Sequence, residues 1–238
     1  MKIAIIGHGR MGKTVENVAP QRGHSIHCII DKEEDWQKKH QELKDCDVAI
    51  DFSMADVVVQ NIERCHELNI PVVTGTTGWD DQRLKMIEPL KNSGHTLFYA
   101  PNFSIGVNLL FELNRKLSHL IQGNTQYAGK IDETHHIHKV DAPSGTAIAL
   151  ANDIISNHKA YAKWTKEQSQ NTNELPVHSE RIDEVIGDHK VTWDSDVDTL
   201  TIAHHAKNRN GFGLGAIIAA EWVRDKKGYY EMTDMLFA

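Results

Sequence analysis

The chain has 238 residues, of which 40% are apolar and 25% are charged, an ordinary composition for a soluble globular protein. Acidic residues outnumber basic ones, 33 to 26, and the formal net charge of −7 argues against bulk attraction to nucleic acid. No apolar stretch approaches the roughly 18 residues of a membrane span, and the first apolar run is shorter than the roughly 7 residues of a secretory signal core. We expect a cytoplasmic protein with no nucleic-acid or membrane partner.

The cysteines agree with this expectation. Cys28, Cys46 and Cys65 are odd in number and form no C-x-x-C pair, which argues against a disulfide framework or a zinc site. They are predicted to be buried, reduced thiols, as is usual in a reducing compartment.

Short apolar runs alternate with helix-like segments over the first hundred residues. The runs are rich in β-branched residues and predict strands at Lys2–Ile6, Ser25–Ile30, Asp47–Phe52, Ile70–Thr74 and Thr96–Ala100. The segments between them predict helices at Arg10–Gln21, Ala55–Leu68 and Asp80–Lys91. Continuous apolar strands are typical of a parallel sheet buried on both faces, and their alternation with helices implies right-handed βαβ units. We predict an α/β fold with a Rossmann-type, doubly wound parallel sheet.

Small, polar or glycine residues recur at the carboxyl ends of all five predicted strands. Ligands of doubly wound sheets bind beyond those ends. The candidate cofactor-binding residues at these ends are Gly7, Gly9, Asp31, Phe52, Gly75, Thr76, Thr77, Ala100, Asn102 and Phe103.

A nucleotide-binding pattern follows the first strand. The residues from Gly7 to Gly12, including Arg10 and Met11, fit G-x-G-x-x-G between a predicted strand and a predicted helix. Such glycines permit a tight turn close to a pyrophosphate, which the amides of the helix N-terminus bind. Asp31 ends the second strand, where an acidic residue binds ribose hydroxyls and favours NAD. Lys32 follows within reach of a 2′-phosphate, so NADP stays open, as does a glycine-rich turn that binds no cofactor.

The pattern changes after Ser104. Helices are predicted at Val107–Ile121, Thr146–Ser156 and Gly215–Arg224, and strands at Tyr127–Glu133, Lys190–Trp193 and Asp198–Ala203, the last two as a hairpin. The polar, aperiodic stretch Tyr161–Ser179 predicts a mobile loop. We place a second, α+β domain with a mixed sheet at residues 105–208, and assign residues 1–104 and 209–238 to the first domain.

The richest stretch for chemistry lies in this second domain. From Glu133 to Ala147 it reads E-T-H-H-I-H-K-V-D-A-P-S-G-T-A, which gathers histidines, a lysine and carboxylates before a turn. Histidine donates protons near neutral pH, and Lys139 adds a positive charge. Ser144 is a predicted N-cap, and the helix that it starts presents amides at its first positions for an anion. The stretch therefore predicts a site that binds and protonates an anionic substrate.

Three other interpretations compete for this stretch. The first is that the histidines are structural and form hydrogen bonds within the core. This is usual for one histidine, but is less expected for three beside a lysine. A metal would need further converging ligands beside His136 and His138 on one strand face or Glu133 and His135 on the other. Because Lys139 also opposes a dication, we expect no metal. A solvated surface segment, the third interpretation, fits poorly beside the turn at Pro143–Thr146. Asp141 either orients Lys139 or starts that turn.

These residues resemble the 4-hydroxy-tetrahydrodipicolinate reductase (dihydrodipicolinate reductase) family of the diaminopimelate route to lysine. The family signature is similar to E-x-H-H-x-x-K-x-D-x-P-S-G-T-A, which the chain matches from Glu133 to Ala147. Further similar segments, Gly9–Gly12, Asp51–Ser53, Thr74–Gly78, Pro101–Ser104 and Ala206–Ala216, extend the resemblance over nearly the whole chain.

The resemblance implies reduction of 4-hydroxy-tetrahydrodipicolinate to tetrahydrodipicolinate, with loss of water and with NADH or NADPH. It implies that His135 donates a proton with Lys139 as its partner. The cyclic dicarboxylate would be held by His136, Lys139, Ser144, Gly145 and Thr146. The pyrophosphate would lie on Gly7, Arg10, Met11 and Gly12, the ribose on Asp31, and the nicotinamide beside Gly75, Thr77, Ala100 and Phe103.

It further implies a dinucleotide-binding domain at 1–104 and 209–238, and substrate binding and homotetramer contacts through 105–208. Two alternatives are another NAD(P) dehydrogenase of amino or oxo acids and a redox-sensing protein that binds NAD without chemistry. Neither of them requires H-H-x-x-K followed by P-S-G-T.

Overall fold

Strands and helices alternate along the first hundred residues, whereas strands dominate the stretch between Ala128 and His205. The computed structural model describes residues 1–166 and 171–237. The strands are β1 (Lys2–Ile6), β2 (Ser25–Ile30), β3 (Val48–Asp51), β4 (Val72–Thr74), β5 (Thr96–Tyr99), β6 (Ala128–His135), β7 (Lys163–Thr165), β8 (Glu174–Arg181), β9 (Asp188–Asp194), β10 (Thr199–His205) and β11 (Gly228–Glu231). The helices are α1 (Arg10–Val18), α2 (Glu33–Lys38), α3 (His40–Lys44), α4 (Val58–Glu67), α5 (Asp80–Leu90), α6 (Ile105–Ile121), α7 (Gly145–Asn157), α8 (Asn210–Val223) and α9 (Met232–Leu236), and a 3-10 turn (Ala19–Arg22) follows α1.

One unit comprises Met1–Ile105 and the chain from Arg209 onward. Its strands lie in the order β11-β5-β4-β3-β1-β2, and every neighbouring pair is parallel. After β1 the chain adds β2 on one side and then returns to add β3 on the other. The reversal of strand order between β1 and β3 marks the crevice where such sheets bind ligands. The predicted Rossmann-type sheet is confirmed.

Both faces of this sheet are covered, which explains the continuous apolar runs. Ile3 and Ile5 of β1 pack in the cluster that includes α1 and α8, whereas Ala4 and Ile6 pack on the opposite face with α4. Alternate residues of one strand thus enter different cores. Burial of each isoleucine side chain contributes about 1.5–3 kcal/mol, so the two-faced core holds the strand ends in fixed positions.

The other unit, Gly106–Asn208, contains the second sheet. Its strand order is β10-β9-β6-β8-β7. β8 pairs in parallel with β6 and β7, while β9 pairs antiparallel with β6 and β10, so the sheet is mixed as predicted. Helices α6 and α7 cover one face, where Leu110 and Leu150 join Ile131 and Trp193 in a core. Alternate residues of β6 therefore lie under the helices.

The prediction of a mobile loop over Tyr161–Ser179 is wrong. That stretch contains β7 and most of β8, while residues 167–170 of the predicted loop lie outside the described part of the chain. β8 carries polar side chains on one face and a proline at Pro176, so only Leu175 and Val177 give an apolar signal. Its pairing partners lie far away in sequence, and a local pattern does not report such pairing.

Other short elements also escaped prediction, namely α2, α3, β11 and α9. The last long helix begins at Asn210 rather than Gly215, because glycines at 211 and 213 weaken its helical pattern. Among the described residues, no helix combines the length and apolarity needed to cross a membrane. The predicted buried thiols are confirmed, since all three cysteines are free and buried. Burial raises the pKa of Cys28 to about 11 and that of Cys46 to about 12, so these thiols stay protonated.

Candidate active site

The glycine pattern after β1 forms a close turn against its neighbours. Gly7 has a φ of 83°, in the left-handed region that favours glycine. A Cβ at Gly7 would lie 2.6 Å from the carbonyl oxygen of Phe52, and a Cβ at Gly12 would lie 2.2 Å from that of Gly7. At Gly9, by contrast, a Cβ would meet no atom within 4 Å among the described residues. The outer glycines serve the turn, and Gly9 leaves open space at the start of α1.

The N-terminus of α1 has the properties of an anion site. Gly9 is its N-cap, no side chain of the described residues caps it, and its first turn holds no acidic residue. The amides of the first turn, at Arg10 and Met11 among others, carry partial positive charge. A pyrophosphate fits both the space at Gly9 and this charge.

Asp31 and Lys32 lie at the end of β2, next to the turn. The Asp31 carboxylate accepts a hydrogen bond of 2.6 Å from the amide of His8. The amides of Asp31 and Lys32 donate to the Asp35 carboxylate at 2.9 and 3.0 Å, which joins the end of β2 to the first turn of α2. The predicted ribose ligand is thus joined directly to the glycine turn, and both side chains are exposed.

Candidate residues from β3, β4 and β5 also meet at one end of the sheet. The rings of Phe52 and Phe103 pack edge to face with centroids 5.8 Å apart. A Cβ at Gly75 would lie 2.1 Å from the ring of Phe52, so this glycine is required for the close packing. Ala100 is buried, and the Asn102 side chain accepts a 2.9 Å bond from the amide of Ser104.

Thr76 has a different place from the one expected of a cofactor ligand. It is buried, and its hydroxyl donates to the buried Asp51 carboxylate at 2.6 Å. Its amide donates to the Thr74 hydroxyl, and its carbonyl accepts from the Trp79 indole at 2.6 Å. Thr76 therefore shapes the loop, and the neighbouring Thr77 is the exposed residue.

In the second unit, Glu133 and His135 lie on the helix-covered face of β6. Both are buried, and Nδ1 of His135 contacts Oε2 of Glu133. Burial would raise the pKa of Glu133, but hydrogen bonds from His135, Ser179 and Arg181 outweigh it and hold that pKa well below its usual range. The carboxylate is therefore ionised. With Nδ1 on Glu133, the imidazole has Nε2 left for chemistry.

Lys139 and Asp141 form the next part of the site. The ammonium of Lys139 lies 2.7 and 2.9 Å from the two oxygens of Asp141. Burial would raise the pKa of Asp141, and the bond and charge of Lys139 lower it overall. Asp141 thus pairs with Lys139, as one of its two predicted roles requires.

Ser144 is the N-cap of α7, as predicted. Its Oγ accepts a 3.2 Å bond from the amide of Ala147 and lies 3.1 Å from Nε2 of His189. The residue is buried, so its hydroxyl serves the helix rather than an outside ligand. The next position, Gly145, is exposed, and a Cβ there would meet no described atom within 4 Å. Open space again lies at a helix N-terminus, beside the partly buried Thr146 and on the same segment as His136.

Two residues of this cluster, Arg181 and His189, were not predicted. In register, Arg181 of β8 lies opposite His135, and His189 of β9 lies opposite Glu133. The ring of His189 packs edge to face on His135 at 5.1 Å, and burial together with the nearby charge of His135 lowers its pKa to about 3. His189 is therefore neutral. Only knowledge of the strand pairing could have revealed either residue.

His189 also supplies what the sequence lacked for a metal site. Ligand atoms of Glu133, His135 and His189 all lie within 4.8 Å of one another, so the argument that no further ligand converges is wrong. The charges are less favourable, because the guanidinium of Arg181 lies 3.0 Å from Glu133. The positive charge of this guanidinium would repel a divalent metal ion bound at the same carboxylate.

The open space at Gly9 leads to a prediction with a built-in control. Gly9→Ala should leave the free energy of unfolding within about 1 kcal/mol of wild type, yet weaken dinucleotide binding. Gly12→Ala should lower that free energy by about 1–3 kcal/mol, because its Cβ meets backbone. Urea unfolding and fluorescence titration with NADH measure the two effects. Unaltered NADH affinity in Gly9→Ala would argue against a pyrophosphate at this turn.

Comparison with known proteins identifies the family. Residues 1–103 match the family described as "Dihydrodipicolinate reductase, N-terminus". Residues 106–236 match the family described as "Dihydrodipicolinate reductase, C-terminus". The chain is 42% identical over 236 residues to 4-hydroxy-tetrahydrodipicolinate reductase of Christiangramia forsetii, covering 99% of this chain and 98% of the relative. It is 34% identical over 238 residues to the enzyme of that name from Akkermansia muciniphila, covering 96% and 94%.

A solved structure shares the fold. Dipicolinate-bound dihydrodipicolinate reductase from Paenisporosarcina sp. superposes with a TM-score of 0.77 at 20% identity, covering 100% of this chain and 99% of that one. The predicted fold class and the predicted resemblance are both confirmed. The chain belongs to the dihydrodipicolinate reductase family.

Proposed function

We propose that His135 is the proton donor, and Lys139 its partner, in the reaction of this family. As a family member, the chain is an oxidoreductase that reduces 4-hydroxy-tetrahydrodipicolinate to tetrahydrodipicolinate with NADH or NADPH and loss of water, in lysine biosynthesis via diaminopimelate. The observation that carries the proposal is the contact between the His135 ring and the buried, ionised Glu133.

This contact suits an acid. An ionised carboxylate that faces one nitrogen of an imidazole fixes the orientation of the ring and leaves the other nitrogen for proton transfer. Since Nδ1 faces Glu133, Nε2 is the atom that releases the proton. Nicotinamide supplies a hydride to the substrate ring when it is bound, and His135 delivers the proton that the resulting enamine takes up.

The substrate carboxylates require positive charge, which the protein as a whole does not have. Lys139 supplies a full charge, and the amides of Gly145 and Thr146 at the start of α7 supply partial ones. His136 adds a donor from the same segment. These groups support binding of a cyclic dicarboxylate by residues of the second unit.

The cofactor belongs to the first unit in this proposal. The open space at Gly9 and the bare start of α1 support the pyrophosphate there, along Gly7, Arg10, Met11 and Gly12. Asp31 would hold the ribose. Phe52, Gly75, Thr77, Ala100, Asn102 and Phe103 would flank the nicotinamide, with Thr76 as support beneath them.

We further propose a cytoplasmic homotetramer joined through the second unit, without nucleic-acid or membrane partners. The sheet face that points away from α6 and α7 supports such an interface. β6 presents Lys130 and Asp132 on that face, and no described helix covers it. Light scattering should return about four times the 26.9 kDa chain mass. A monomer at micromolar concentration would refute the assembly.

The catalytic roles are tested with freshly generated substrate in a coupled assay. His135→Gln should lower kcat by about 10²–10⁴-fold, since an acid in the transition state contributes that much, and should leave NADH binding unaltered. His138→Gln is the matched control, because that ring is exposed and its ion pair, at 3.5 Å, is with the exposed Glu184. Wild-type turnover in His135→Gln would remove the proposed role.

The ribose assignment is tested by comparing the two cofactors. Asp31→Ala should weaken NADH more than NADPH, because the lost carboxylate binds ribose hydroxyls and repels a 2′-phosphate. Glu34→Ala is a suitable control, since Glu34 pairs only with Lys38 on exposed α2 among the described contacts. Titration calorimetry measures both dissociation constants. Equal losses for the two cofactors would contradict the assignment.

A further inference from the structure

Arg181 links the separate parts of the candidate site. It ends β8 opposite His135. One terminal nitrogen of its guanidinium donates to Oε1 of Glu133 at 3.0 Å and to the carbonyl of Asp141 at 2.5 Å. Its Nε donates to the carbonyl of Lys139 at 3.3 Å. One side chain therefore contacts both the buried carboxylate under His135 and the segment that carries Lys139.

The chemistry of arginine makes this link a rigid one. A guanidinium is planar, always charged, and directs its donors in a fixed fork. The segment from Lys139 to Asp141 lies outside the helices and strands, so its backbone carbonyls need partners from elsewhere. Arg181 supplies partners for the carbonyls of Lys139 and Asp141, and so fixes the backbone of Lys139 relative to Glu133.

Arg181 also balances the charge that holds the site together. The Glu133 side chain has no exposed surface, and that of Arg181 is 19% exposed. A buried carboxylate that loses its cationic partner is strongly destabilised as an ion. Oε1 of Glu133 also accepts the amide of Ser144 at 3.2 Å, so the same carboxylate fixes the start of α7.

An ordinary structural ion pair is the competing explanation, and this unit contains one for comparison. Arg115 on α6 pairs with Glu112 at 2.9 Å and with Asp153 at 3.1 Å, and its side chain is 32% exposed. It contacts no candidate site residue in those pairs. Arg115 therefore reports what loss of an arginine costs in stability alone.

We propose that Arg181 is a positioning residue of this reductase, which holds Lys139 in place against the Glu133–His135 pair. It acts through these residues. The inference rests on the proposed roles of His135 and Lys139.

The experiment compares Arg181→Ala, Arg181→Lys and Arg115→Ala in the full enzyme. Arg181→Ala should lower kcat by about a hundredfold, the cost of a misplacement near 1 Å, with NADH binding unaltered. Guanidinium ion at millimolar concentration should restore part of that turnover. Arg115→Ala should lower the melting temperature but keep kcat, and should not respond to guanidinium.

Arg181→Lys guards against a variant that does not fold. It keeps the charge beside Glu133 but lacks the fork, so it should fold and still show reduced kcat. Wild-type kcat in Arg181→Lys would overturn the proposal, as would an equal loss of kcat in Arg115→Ala. Normal turnover in His135→Gln would instead refute the proposed function, so the two failures are distinguishable.

Discussion

A single buried charge, the carboxylate of Glu133, organises the second unit. Removing an ion from water costs several kcal/mol unless partners replace the lost hydration. Here the partners come from three elements: His135 on the same strand, Arg181 on β8, and the amide of Ser144 at the start of α7. Because each must converge on the carboxylate, the burial of Glu133 also assembles the imidazole, the lysine segment and the helix N-terminus.

The two sheets use strand periodicity in different ways. In the first unit both faces of β1 are apolar, and chemistry is confined to the strand ends, where Gly7 and Asp31 lie. In the second unit, the covered face of β6 carries Ile131, Glu133 and His135 in alternation. Ile131 packs in the core, whereas Glu133 and His135 belong to the candidate site. The site on β6 is thus built into the sheet-helix interface, which gives its side chains little freedom to move.

Local patterns made much of this predictable. β1 and β2 begin and end as predicted, because turns bound their apolar runs, and Ser144 caps α7 as its position suggests. What failed was non-local. Arg181 lies 48 positions from Glu133, and its strand, with a proline and few apolar residues, gave no local signal. Likewise, a hydroxyl at a strand end can bind a ligand or hydrogen-bond within the protein, and the sequence around Thr76 does not distinguish the two roles. The bond from Thr76 to Asp51 shows that its hydroxyl serves the second role.

The distances within the Glu133 cluster would allow a metal ion, whereas the charges around it are less favourable to one. Glu133, His135 and His189 stand close enough to share a metal ion. Arg181 already pairs with Glu133, and Asp141 already pairs with Lys139. A dication would add two positive charges to a balanced site, whereas a proton on His135 adds one, directly against the carboxylate. In the proposed reaction that proton passes to the substrate, while Lys139 and the amides at the start of α7 supply positive charge to its carboxylates.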